Sequence, residues 1–230
     1  MEIKFASLES CGAATDTVVA IDVCRAFTTA AYAFAAGARE IILVGRVKEA
    51  LALRERMPGA LVMGEVGGLP VEGFDFGNSP NELLGVDLAG RRMIQRTSAG
   101  TQGVVRSKRA RTLLASSFVC AGATARCIRQ LAPESVTFVI TGMRPNSGAE
   151  EDAACADYIA ALLDGQAPDA GPFLNRARNW LLQYRQADST RLKQLTLDLE
   201  RCLELDRFDF AMRVRRRDGL LVMQAAGSSD

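Results

Sequence analysis

The sequence predicts an α/β fold: a mostly parallel sheet flanked by helices, with a C-terminal helical and strand-pair extension. Two observations lead there. Short β-branched and aliphatic runs alternate with longer runs of helical period along the first two thirds of the chain. Several of the short runs are apolar at every position, as strands covered by helices on both faces must be. With 230 residues and 48% hydrophobic content, the chain can bury one sizeable core. Residues 1–165 are expected to form the α/β core that carries the site. Residues 166–230 are expected to add helices and closing strands to the same compact unit.

In chain order, 17–23 reads as a buried strand whose end carries Asp22. Residues 26–36 form an alanine-rich helix stopped by Gly37. A strand at 40–44 and a helix at 46–56, bounded by Pro58, come next. Residues 61–65 read as a strand ending in Gly64-Glu65, and 81–84 as a short helical turn. Strands are expected at 92–96, 112–116 and 136–141, and helices at 100–105, 122–131 and 150–163. Beyond Gly165 the pattern changes to helices at 175–182 and 189–205. The second carries a leucine stripe at Leu192, Leu195, Leu199 and Leu203, read as core or dimer packing. A strand pair at 208–213 and 220–223, turning at Asp218-Gly219, closes the chain before a frayed AAGSSD tail.

Several function classes are excluded or disfavoured. The chain has 0 His, so no imidazole base, phosphohistidine or His-ligated zinc is available. Any general base is an Asp, Glu, Lys, Tyr, Cys or metal-bound water. The net charge of +1 gives no electrostatic case for nucleic acid or membrane. The basic run at 106–111 reads as a solvated helix end. None of the 6 Cys forms a C-x-x-C pair, and their apolar settings suit reduced thiols and a cytoplasmic location. The opening MEIKFASLES lacks the basic-then-apolar layout of a signal peptide. No apolar run reaches the roughly 20 residues that cross a bilayer.

Ligands of open parallel sheets bind beyond the carboxyl ends of the strands, and four segments converge there. The most informative is Gly64 to Pro80, GEVGGLPVEGFDFGNSP. Its glycines permit close backbone approach. Asn78-Ser79-Pro80 looks like a helix start, with Asn78 or Ser79 as the N-cap. Glu65, and Asp75 beside it, would place a carboxylate near anion-binding amides, which suits a metal and a phosphate. The second segment is Asp22-Val23-Cys24-Arg25-Ala26-Phe27-Thr28-Thr29. Asp22 at a strand end suits Mg²⁺, and Arg25 suits bidentate binding of phosphate or sulfonate. The third, Gln95 to Thr101, places Thr97, Ser98, Gly100 and Thr101 between strand and helix, as either an anion cradle or an ordinary cap. The fourth runs from Thr141-Gly142-Met143-Arg144 to Glu150-Glu151-Asp152. Its acids either favour the helix dipole or serve as metal ligands and general base.

Taken together and in this order, these segments resemble the 2-phosphosulfolactate phosphatase family. That family carries a D-V-x-R-A-x-T-T-like turn, a G-E…G-F-D-x-G-N-S-P stretch, a T-T-N-G-T-like turn and a late E-D-D-like cluster. The resemblance runs from about Asp16 to about Leu163. Thr97-Ser98-Ala99-Gly100-Thr101 departs from T-T-N-G-T by lacking the Asn. E-D-D appears as Glu150-Glu151-Asp152 or Glu151-Asp152-Ala153, depending on register. The resemblance implies Mg²⁺-dependent hydrolysis of a small anionic phosphate monoester, (2R)-2-phospho-3-sulfolactate or a relative. Asp22, Glu65 and Glu151 are the expected metal ligands. Asp22, Arg25 and Asp152 are the expected catalytic residues. Thr28, Thr29, Asn78, Ser79, Thr97, Ser98, Gly100 and Thr101 are expected to contact substrate. A homodimer is also expected. Two other readings stay open: a metal-dependent lyase or hydrolase on another phospho- or carboxy-metabolite, and a non-catalytic phosphometabolite-binding protein.

Overall fold

The computed structural model describes residues 1–142, 149–187 and 192–227. Its elements are β1 (Glu2–Ser7), β2 (Thr17–Ile21), α1 (Ala26–Ala35), β3 (Glu40–Leu43), α2 (Val47–Arg56), β4 (Leu61–Gly64) and β5 (Arg92–Arg96). They continue with α3 (Gly100–Arg106), β6 (Thr112–Ser116), α4 (Ala121–Leu131), β7 (Ser135–Ile140), α5 (Glu150–Leu163), α6 (Gly171–Ala187), α7 (Leu192–Cys202), β8 (Ala211–Arg217) and β9 (Leu220–Ala226). A 3-10 turn spans Pro80–Leu83. The nine strands form one sheet in the order β1-β7-β2-β6-β8-β9-β3-β5-β4. The α/β class and the mostly parallel sheet are as the sequence predicts.

The C-terminal strand pair stands in the middle of that sheet. The strands β1, β7, β2 and β6 form one parallel group, and β3, β5 and β4 form another. The β8–β9 hairpin runs antiparallel to both and joins them, β8 against β6 and β9 against β3. Period-2 apolarity identifies a strand but not its neighbours, so this placement is invisible in the sequence.

In a flat sheet β2 and β5 would stand about 24 Å apart, five spacings of about 4.8 Å. Yet Gln95 Nε2 of β5 donates to the Ala26 carbonyl, just beyond β2, at 2.8 Å. The sheet therefore curls, and α1 lies in its hollow, buried from Ala26 to Phe34. Val139 of β7 and Met63 of β4, from near opposite edges, belong to one apolar cluster around Phe27 and Ala30 of α1. On the outer face, α2 packs on Ile42, Val62 and Ile94. A second outer cluster gathers Phe118, Phe138, Tyr158 and Ile159.

Some local expectations shift. Strand β1 falls where no element is predicted, because it pairs only with β7 and leaves Glu2, Lys4 and Phe5 exposed. Phe208 and Phe210 precede β8 instead of opening it. They stack on each other and set their edges against Tyr32 and Phe34 of α1. Helix α6 begins at Gly171, and α7 covers Leu192–Cys202 of the expected 189–205. In the leucine stripe, Leu199 and Leu203 are buried in the chain's own core, while Leu192 and Leu195 have side chains outside the described set. The expected tail beyond Gly227 also lies outside the described residues. Among the described residues, no helix is long and apolar enough to cross a membrane.

Candidate active site

The carboxyl ends of β2, β4, β5 and β7 lead directly into Asp22, Glu65, Thr97 and Thr141. The curl brings them together with the start of α5. Asp22 is buried. Its Oδ1 accepts the Ala26 amide at 2.9 Å, and its Oδ2 receives Thr141 Oγ1 at 3.4 Å. The Gly100 amide also donates to this carboxylate. Burial pushes the Asp22 carboxyl up to about 6. The charge of Glu65 adds to that rise, while the Ala26 and Gly100 amides and Arg25 oppose it.

Glu65 sits where the backbone leaves β4. Its Oε1 accepts the Ser98 amide at 2.5 Å, and its Oε2 accepts the Gly68 amide and, at 3.3 Å, Ser98 Oγ. Gly64 is required by geometry: with φ +136°, any Cβ there would fall on the Arg96 carbonyl. Asp152 on α5 ties two site loops together. Its Oδ1 accepts the Val23 amide at 2.8 Å, and its Oδ2 accepts the Gly142 amide at 3.0 Å. Burial, with the charges of Glu151 and Asp22, holds its carboxyl well above the ordinary range. Glu151, one residue earlier, has a buried Oε2 with no hydrogen-bond partner among the described residues. Burial above all, with the charges of Asp22 and Glu150 adding to it, pushes its carboxyl up to about 8.

Arg25 opens α1, and its Nη1 donates to Asp198 Oδ2 at 2.7 Å. Asp198, on α7, is fully buried and also accepts Ser79 Oγ at 2.5 Å and Asn81 Nδ2 at 2.8 Å through Oδ1. Nothing in the sequence singles out Asp198. An acid in an amphipathic helix reads as a solvated face until that helix is seen to dock on the Arg25 turn.

The remaining predicted residues fall at or near this centre, with local corrections. Thr97 and Thr101 cap each other: the Thr97 amide donates to Thr101 Oγ1 at 2.9 Å, and the Thr101 amide to Thr97 Oγ1 at 3.0 Å. With the Ser98 and Gly100 amides turned to Glu65 and Asp22, this turn fixes the acids instead of leaving an open anion cradle. The expected N-cap at Asn78 or Ser79 is not made. Ser79 precedes a single 3-10 turn with no side-chain cap, because its hydroxyl goes to Asp198. Thr28 Oγ1 donates to the Val23 carbonyl at 2.8 Å, while Thr29 Oγ1 and Asn78 Oδ1 are buried without partners among the described residues. Asp75 accepts the Val62 amide at 2.7 Å on the outer edge of β4. Met143 and Arg144 lie outside the described residues.

Several observations bear on Mg²⁺. Asp22, Glu65, Glu151 and Asp152 are all buried, and Asp22 feels the charges of the other acids. Glu151 Oε2, Asn78 Oδ1 and Gln95 Oε1 are buried acceptors without donors among the described residues. Among the described residues, no three acids or thiols stand close enough to cage a metal. Mg²⁺ needs no such cage, since it takes one or two carboxylates and fills its octahedron with water and phosphate. An oxygen-rich centre lined by acids, with buried acceptors that find no donor among the described residues, fits that ion.

Two expected outcomes follow from this geometry. A Cβ on Gly100 would stand 2.7 Å from both Asp22 Oδ2 and Ala26 Cβ. Gly100→Ala is expected to destabilise the fold by about 1–3 kcal/mol, read as a shifted urea midpoint, and to displace the Asp22 carboxylate. The second concerns pH. Glu151 is held above its ordinary value of 4.5, so the folded chain binds the extra proton. That contribution is complete below 4.5 and is lost as pH rises toward about 8. Metal-free protein should therefore melt at falling temperature from pH 5 to pH 8, and Glu151→Gln should flatten the fall. An unchanged slope in the variant would assign the effect to other groups.

The sequence profile of 2-phosphosulpholactate phosphatases matches residues 5–217 of this chain. A Bacillus subtilis protein named probable 2-phosphosulfolactate phosphatase is 35% identical over 153 residues, 66% of this chain and 66% of its own length. A Carboxydothermus hydrogenoformans protein of the same name is 42% identical over 149 residues, 65% of this chain and 61% of its own length. A Synechocystis protein, also so named, is 33% identical over 199 residues, 84% of this chain and 82% of its own length. The match thus spans just under two thirds of the Bacillus and Carboxydothermus proteins.

Proposed function

This chain belongs to the 2-phosphosulpholactate phosphatase family, and on that premise we propose that it is a Mg²⁺-dependent phosphatase of a small anionic phosphate monoester, 2-phosphosulfolactate or a relative. The observation that carries the reading is the buried cluster of Asp22, Glu65, Glu151 and Asp152 beside Arg25, a guanidinium already paired with Asp198. Asp22 and Glu151, with Glu65 nearby, would hold Mg²⁺. When bound, the ion would neutralise charge on the phosphate oxygens and acidify a water.

The chain's own groups would do the rest. The guanidinium of Arg25 has donors beyond the Nη1 held by Asp198, and these would grip phosphate oxygens as charge builds on them. Asp22, with its carboxyl pushed up to about 6, would take a proton from the attacking water near neutral pH. Asp152 would act by position, because both its oxygens are spent on the Val23 and Gly142 amides. The Thr97–Thr101 turn would keep Asp22 and Glu65 aimed by presenting the Gly100 and Ser98 amides to them. The products would be the 2-hydroxy acid and inorganic phosphate.

The test is phosphate release from 2-phosphosulfolactate and 2-phospholactate side by side. Release from the first at higher kcat/KM would support the sulfonate reading. Equal rates would leave a phosphatase that does not read the sulfonate. Consumption of substrate without phosphate release would overturn the reading.

A further inference from the structure

We propose that the outer face of the sheet carries a second anion site, distinct from the acid cluster, for a metabolite-sized molecule bearing two or more phosphate or carboxylate groups. A cavity of about 600 Å³ lies beside the end of α2, over β3 and β9. That volume lies within the range of small-molecule sites. Four arginines line it: Arg39, Arg56, Arg92 and Arg217. Ile42 and Val222 form part of an apolar floor.

A buried acid organises the cavity's charge. Glu40, at the start of β3, is 2% exposed. It accepts Arg92 Nε at 2.6 Å and Arg217 Nη2 at 2.6 Å, with Arg39 Nη2 at 3.5 Å. These bonds draw three guanidiniums, from three parts of the chain, to one point. A single carboxylate cannot neutralise three cations, and each guanidinium has donors left over. Arg56, at the end of α2, makes no hydrogen bond or ion pair among the described residues. Asp218 is the other acid in the lining, so positive charge prevails. Guanidiniums gathered around one buried carboxylate above an apolar floor suit a polyanion with an organic body. A second copy of the chain would set arginine against arginine here.

The site is separate from the acid cluster. It lies on the outer face at the amino ends of β3 and β5, through Glu40 and Arg92, whereas Asp22 and Glu65 follow the carboxyl ends of β2 and β4. It therefore does not depend on the phosphatase reading.

Isothermal titration calorimetry with ADP and with citrate, in chelator and at fixed ionic strength, tests this on the full chain. The two probes distinguish a phosphate from a carboxylate ligand. Saturable binding of at least one is expected. Asp22→Asn should keep it, and Arg56→Glu should weaken it about tenfold or more. Because Arg56 is exposed and has no partner to lose among the described residues, the Arg56→Glu variant should retain the fold and any phosphatase activity. The proposal is overturned if neither probe binds, if Arg56→Glu binds as tightly as the unmodified chain, or if Asp22→Asn abolishes binding and so places the anion in the acid cluster.

Discussion

Asp22→Asn is expected to lower the rate of phosphate release by at least about 10³-fold while leaving the fold intact. The exchange keeps the size of the side chain and an oxygen for the Ala26 amide, which Asp22 Oδ1 accepts at 2.9 Å. It removes the negative charge that would hold a cation and take a proton. It also removes a buried charge that its neighbours disfavour, since burial and Glu65 push the carboxyl up to about 6. Melting temperature without metal should therefore stay level or rise. That combination, lost rate with undiminished stability, separates a reacting group from a structural one. A variant that keeps a tenth of the activity would remove Asp22 from the chemistry.

Asp198→Ala should have the second-largest effect, although Asp198 is far along the chain from the other site residues. It fixes Arg25, Ser79 and Asn81 at once, from a fully buried position. Taking it away leaves the guanidinium, itself mostly buried, without its counter-ion, at a cost of about 3–5 kcal/mol. The freed Arg25 would lose its aim, and a misplaced catalytic contact can cost about 10²-fold in rate. Stability loss alone would not prove positioning. A double-mutant cycle does: if Asp198 acts through Arg25, then Asp198→Asn in an Arg25→Ala background should lower kcat no further. Additive losses would give Asp198 an independent role.

What the sequence disclosed and what it withheld follow one physical division. The parallel strands and most helices were legible, because apolar period and turn residues are local properties. Asp22, Glu65, Glu151 and Asp152 were also legible as carboxylates at strand ends and a helix start. The pairing of β8 and β9 with β6 and β3 was not, because register partners are chosen by tertiary fit. The curl that brings Gly100 against Asp22 depends on that hairpin, so the approach of the β5 turn to β2 was hidden with it. The glycines and hydroxyls of the Gly64–Pro80 and Thr97–Thr101 segments suggested amides waiting for an anion. The folded chain spends several of those amides on its own acids. Asp198 and the Glu40 arginine cluster escaped notice for a related reason: a charge is recognised as buried only once its covering element is placed.

The most direct test of the central claim is phosphate release from 2-phosphosulfolactate after exhaustive chelation, followed by add-back of Mg²⁺, with a thermal melt at each step. No release without metal is expected, with recovery on add-back and a rise in melting temperature that Asp22→Asn reduces. Full activity in chelator with no metal-dependent stabilisation would contradict it.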